Sequence, residues 1–97
     1  MDNLTPRVLD GIAVLDRTTP SWFRSVDPDT LDITSARNCV LGQTYGSFYD
    51  ALNTLTVNET VHPLDWAQDH GFLAGDRRYD GALTRIWAYA VRARQAS

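Results

Sequence analysis

The sequence contains no lysine: all nine basic residues are arginine, and eleven of the twelve acids are aspartate. Arginine is favoured physically where a carboxylate is gripped at two points or a ring is stacked. Nine such places in one 97-residue chain are too many for that cause, and the codon bias of a GC-rich genome accounts better for the pattern. Cysteine is nearly absent too. With Cys39 alone no intramolecular disulfide can form, which excludes the small secreted folds held together by bridges. No long apolar run exists. The longest, Ile86 to Val91, falls far short of the roughly 20 residues that a membrane-spanning helix needs. The first residues, Met1 to Arg7, are mostly polar and carry no basic cluster, so they do not read as a signal peptide. Internal repeats and low-complexity tracts are missing as well. These absences lead us to expect a soluble, cytoplasmic protein.

The rest of the composition is ordinary. Hydrophobic residues make up 43% of the chain, charged residues 22%, and the net charge is −3. A disordered chain would have fewer apolar residues and a larger net charge. Residues 1–97 therefore read as one domain, large enough for a modest core without metals or disulfides. Charge is unevenly distributed: residues 1–70 hold ten acids against four arginines, residues 71–97 two acids against five arginines. Such asymmetry marks either a nucleic-acid or partner surface or arginines that complement a helix C-terminus.

Hydrophobic spacing predicts helices throughout. The first runs from about Pro6 to Arg17, with Thr5 as N-cap and Pro6 at the first helical position. Leu4, Val8, Ile12 and Leu15 form its buried stripe, and Gly11 within it suggests close contact with a neighbour. Pro20 to Val26 reads as one or two helical turns, followed by an acidic turn-rich loop, Asp27 to Asp32. Thr34 or Ser35 is placed to cap a helix through Cys39 to Tyr45, ended or bent by Gly46. Ser47 to Leu55 continues with Phe48, Ala51, Leu52 and Leu55 on one face, either as a second helix or beyond a kink. A short strand over Thr54 to Val57 is the minor alternative. Pro63 opens a further helix with Leu64, Trp66 and Ala67 as its apolar positions and Gly71 as its C-terminal cap. After a turn pivoting at Gly75, the longest helix runs from about Tyr79 to Arg94, with Leu83, Ile86, Trp87, Ala90 and Val91 facing inwards. The predicted fold is all-α, a compact single-domain bundle of four to five short helices.

The run Thr30-Leu31-Asp32, followed by Cys39-Val40-Leu41-Gly42-Gln43-Thr44-Tyr45-Gly46, resembles a group of small uncharacterised proteins of actinobacterial phages and actinobacteria. Those proteins show a leucine-aspartate pair and then a Cys-Val-Leu-Gly-Gln-x-Tyr-Gly block. His70-Gly71-Phe72 and the tryptophan-bearing last helix also look similar, so the resemblance spans residues 20–72 and the eight-residue block carries most of it. It agrees with the GC-rich composition. It implies a phage or prophage accessory protein, and products of that kind often bind a host or phage protein.

Few residues invite a chemical reading. Cys39 with His62 or His70 as base would make a nucleophile pair; flanked by Val40 and Leu41, Cys39 reads better as a small buried hydrophobe. Gly42 and Gly46 lack the Lys-Ser/Thr ending of a phosphate loop. They read as sites of backbone approach and turning, with Gln43 bonding backbone groups there. The Asp27–Asp32 run fails the calcium-loop pattern, because Asp32 stands where glycine is required and Asn38 where glutamate is required. His62 precedes Pro63 and lies eight residues from His70, so the two imidazoles are expected to diverge rather than share a metal. No metal, cofactor or catalytic residue is assigned.

The last helix carries a stronger pattern. Arg78, Arg85 and Arg92 recur every seven residues, with Tyr89 on the same side. This arrangement could track a phosphate backbone and stack a base, although the isoelectric point near 5.1 opposes a dedicated nucleic-acid binder. Trp22 and Phe23 are adjacent large rings, one of which is expected to face outwards and anchor an interface. We therefore expect a non-catalytic protein acting by protein–protein contact with a host or phage protein, and possibly self-associating. Its candidate contact residues are Trp22, Phe23, Arg85, Tyr89 and Arg92. The alternatives are a nucleic-acid-binding regulator using the C-terminal arginines and, behind it, a Cys/His enzyme.

Overall fold

A computed structural model describes residues 3–97; Met1 and Asp2, which begin the polar N-terminal segment discussed above, lie outside them. The described chain is all-α. Helices α1 (Leu4–Thr18), α2 (Val40–Tyr45), α3 (Phe48–Leu55), α4 (Pro63–Asp69) and α5 (Asp80–Gln95) are joined by loops and by two 3₁₀ turns, Trp22–Ser25 and Arg77–Tyr79. The described residues contain no strand: Thr54 and Leu55 end α3, and Thr56 to Asn58 form a turn.

Helix α1 begins at Leu4 rather than Pro6, with Asn3 in the cap position. Proline is still tolerated there, because an N–H in the first turn has no intrahelical acceptor to lose. The buried stripe is Leu4, Val8, Gly11, Val14 and Leu15, while Ile12 is half-buried. Leu4 borders the same groove as Ala82 and Ile86 of α5, and Asp16 pairs with Arg94 near the other end. The two longest helices thus lie side by side and run in the same direction.

Helix α4 ends in a double backbone clasp. The Gly71 N–H donates to the Gln68 carbonyl at 3.1 Å and the Phe72 N–H to the Ala67 carbonyl at 2.8 Å. Gly71 takes the left-handed conformation (φ +76°) that this clasp requires. The clasp turns Phe72 back over its own helix, so that its ring stacks on Trp66 with centroids 5.8 Å apart. Phe72 stacks in turn on Trp87 of α5 at 5.4 Å, and Trp87 meets Trp22 edge-on at 5.9 Å. A continuous file of rings therefore crosses the domain. Its polar edges are satisfied: Trp87 Nε1 donates to the Gly71 carbonyl at 2.6 Å and Trp22 Nε1 to Asp16 Oδ1 at 2.9 Å.

Two glycines let α1 sit against this clasp. A Cβ on Gly11 would collide with the His70 carbonyl and lie 3.1 Å from the Trp87 ring; one on Gly71 would lie 2.7 Å from the Val8 nitrogen. The contact expected of Gly11 is thus with the end of α4 and with α5. Gly11→Ala gains about 1 kcal/mol of helix propensity but forces apart a packed contact, which costs about 1–3 kcal/mol or more. A lower midpoint in urea unfolding is the expected outcome; an unchanged or higher midpoint would contradict the packing described.

Candidate functional site

Cys39 is buried and caps α2 from outside, its Sγ accepting the Gly42 N–H at 3.2 Å. The helix therefore starts at Val40, later than the Thr34 or Ser35 caps implied. Those hydroxyl residues serve the preceding turn instead: Ser35 Oγ accepts from the Asn38 N–H at 3.0 Å, and Thr34 bonds to Asp32. This turn folds over α2, bringing the Ala36 carbonyl against Gly42; what approaches Gly42 is a loop and not another helix. Gln43 fastens the arrangement. Its Nε2 donates to the Asn38 carbonyl at 2.8 Å, and its Oε1 accepts from the Asp27 N–H at 2.7 Å. Gly46 ends α2 in the left-handed conformation, and Ser47 caps a separate α3. The block from Cys39 to Gly46 is thus built into the framework.

Burial pushes the Cys39 thiol above its ordinary pKa, although the Gly42 N–H acts in the opposite direction. A raised value leaves little thiolate near neutral pH, the reverse of an activated nucleophile. The histidines stand at opposite ends of α4. His62 caps its start, with Nδ1 accepting the Leu64 N–H at 3.1 Å; His70 closes its end, with Nδ1 2.7 Å from the Trp66 carbonyl. Among the described residues no three histidine, cysteine, aspartate or glutamate side chains gather closely enough to hold a metal ion. Within the acidic loop, Asp27 Oδ1 accepts the Asp29 N–H and Asp29 pairs with Arg92. Leu64, assigned above to the apolar side of α4, is 46% exposed, because only Trp66 and Ala67 of this short helix face the core.

Trp22 is only 1% exposed and must be removed from the contact residues. A 3₁₀ turn advances about 120° per residue, which sends adjacent rings in different directions. Trp22 enters the core, while Phe23 is half-buried and meets it edge-on at 5.9 Å. Phe23 borders a shallow surface depression with Arg24, Arg94 and Gln95.

The arginine row on the last helix is divided. Arg78 belongs to the preceding 3₁₀ turn and grips Asp76 through Nε and Nη2 at 3.2 and 2.8 Å. Arg92 pairs with Asp29 at 2.7 Å, and Arg94 with Asp16 at 2.8 Å. Arg85 has no carboxylate partner among the described residues. Tyr89, one turn further on, is 78% exposed. Both border an open groove of about 540 Å³ between α1 and α5, lined also by Leu4, Thr5, Ala82 and Ile86. Leu9, exposed, lies one turn beyond Thr5 on the same side of α1.

A second cleft, of about 460 Å³, opens where the C-terminal ends of α1, α2, α3 and α4 meet. Arg17, Tyr45, Leu55, Glu59, Trp66 and His70 are among its lining residues. The sequence pattern marks His70 and Tyr45 but does not bring these four distant segments together.

No protein-family model matches the chain, and neither a curated protein nor a solved structure is significantly similar to it. No described helix is long and apolar enough to cross a membrane.

The environment of Cys39 gives a pH test. Its proton is held more tightly in the folded chain than in the unfolded one, so its stabilising contribution is complete below the unfolded value, near about pH 8.5. That contribution is lost as pH rises through the folded value. We expect native Cys39 to react slowly with a disulfide reagent at neutral pH and quickly in urea. Fold stability should also decline above the ordinary thiol range, less steeply in Cys39→Ala. Fast native labelling at neutral pH would show the thiol to be accessible.

Proposed function

We propose that this chain is a non-catalytic accessory protein of phage or prophage origin, which works in the host cytoplasm by binding another protein through the α1–α5 face. The observation that carries the proposal is the groove between these helices, where 78%-exposed Tyr89 stands beside Arg85 over an apolar floor of Leu4, Ala82 and Ile86. Tyrosine and arginine are enriched at the energetic centres of protein interfaces. A tyrosine ring brings large contact area at low entropic cost, and an unpaired guanidinium favours a carboxylate on the partner. The phage origin rests on the resemblance carried by Cys39 to Gly46. The buried, uncharged thiol and the histidines committed to the ends of α4 support a role without catalysis.

Charge pairing weighs against the nucleic-acid reading. Arg78 and Arg92 are matched by Asp76 and Asp29, so the row keeps one unmatched arginine in a chain of net charge −3. A backbone-tracking surface draws affinity from each phosphate it neutralises, and little cationic surface is left for that.

The double variant Arg85→Glu, Tyr89→Ala tests the proposal, because both side chains are exposed and the fold should shift by no more than about 0.5 kcal/mol. Wild type and variant serve as baits in nuclease-treated actinobacterial lysate, read by quantitative mass spectrometry alongside size-exclusion chromatography. We expect one protein, or a second copy of this chain, to be held by the wild type and lost by the variant, with a penalty of about 2 kcal/mol or more. An identical catch from both baits would overturn the proposal. Salt-sensitive retardation of DNA by the purified chain would favour the nucleic-acid reading instead.

A further inference from the structure

We propose that the cleft at the meeting point of the α1, α2, α3 and α4 C-termini binds an aliphatic ammonium group, with its methylene stem against the apolar wall. The cleft holds about 460 Å³, within the range of small-ligand sites, roughly 300–1,000 Å³. Its electrostatics follow from the backbone. Each helix C-terminus exposes carbonyls without intrahelical partners and carries partial negative charge. The fifteen-residue α1 and eight-residue α3 contribute most, the shorter α2 and α4 less.

Side chains do little to offset this charge. Arg17 lies in the last turn of α1, but the last turns of α2, α3 and α4 contain no basic residue. Glu59 adds a carboxylate to the rim. The site is therefore short of positive charge, and an anion would meet four helix ends of the wrong sign.

The remaining lining suits the rest of such a ligand. Trp66 and Tyr45 offer aromatic faces, which attract cations, and Val14, Leu55 and Val57 offer apolar surface. His70 stacks on Trp66 with ring centroids 4.2 Å apart. Its Nδ1 is 2.7 Å from the Trp66 carbonyl. A carbonyl only accepts, so Nδ1 carries the hydrogen, and Nε2 of the neutral ring is left as an acceptor. The Tyr45 and Thr19 hydroxyls bond to each other at 2.6 Å, which fixes the Tyr45 ring in the wall.

Free diamines and lysine side chains share this chemistry, and two probes separate them: 1,5-diaminopentane and N-acetyl-lysine amide. Hexanoate serves as the anionic control of similar length. Amide chemical shifts of the full chain are followed during titration with each. We expect saturable shifts confined to the cleft-lining residues with one or both amines and none with hexanoate; the tighter amine identifies the source of the ligand. Thr54→Arg supplies a cation from the last turn of α3, where it complements the helix end and preserves the fold, and it should abolish the shifts. Glu59→Gln should weaken binding about two- to fivefold, the scale of one exposed ion pair. Absence of amine shifts, equal shifts with hexanoate, or undiminished binding in Thr54→Arg would each overturn the proposal.

Discussion

Helix α1 and the turn after α4 interlock through two glycines, and the rest of the molecule is arranged around that contact. Gly11 admits the His70 carbonyl, and Gly71, in its left-handed turn, lies against the backbone of Arg7 and Val8. A side chain on either would hold the two segments apart. Because they meet closely, Phe72 is carried between Trp66 and Trp87, and the file of rings extends to Trp22. Aromatic pairs in stacked or edge-on geometry add about 0.5–1.5 kcal/mol each beyond their buried area. A domain of this size has few other large side chains from which to build a core.

That interior determines what is left for the surface. All three tryptophans are consumed by packing, so an aromatic contact residue has to come from elsewhere. On the outer side of α5 it is Tyr89, beside Arg85 and the groove along α1. Because α1 and α5 run in the same direction, Asp16 reaches Arg94, whose guanidinium holds the aspartate below its ordinary pKa. Trp22 donates to that same carboxylate, which links the ring file to the surface. The arginines left over from such pairings are those with freedom to meet a partner.

Much of this framework is legible in the sequence, because the relevant signals are local. Pro63 before Leu64 and Trp66, with Gly71 beyond them, fixes both ends of α4 to within a residue. Gly11 inside an apolar stripe correctly announces a close neighbour, and Gln43 bonds backbone groups as its place beside Gly42 suggests. The failures have a common cause. Thr34 and Ser35 look like helix caps, but the loop they belong to is pressed onto Gly42, and the capping passes to Cys39. Trp22 and Phe23 look like an exposed pair until 3₁₀ geometry turns one of them inwards. The partners of Arg92 and Arg94 are separated from them by 63 and 78 residues, which no helical periodicity reveals. The cleft at the helix ends is assembled from segments between Val14 and His70 and has no motif.

The account divides the molecule into an aromatic interior and a contact face that owes nothing to tryptophan. Acrylamide quenching of tryptophan fluorescence in the isolated monomer tests that division most directly. It predicts blue-shifted emission and weak quenching for Trp22, Trp66 and Trp87 together, with a strong loss of protection only on unfolding. Quenching that approaches that of a free indole in the native chain would put a tryptophan on the surface. The ring file would then be broken, and Trp22 would return to the contact face.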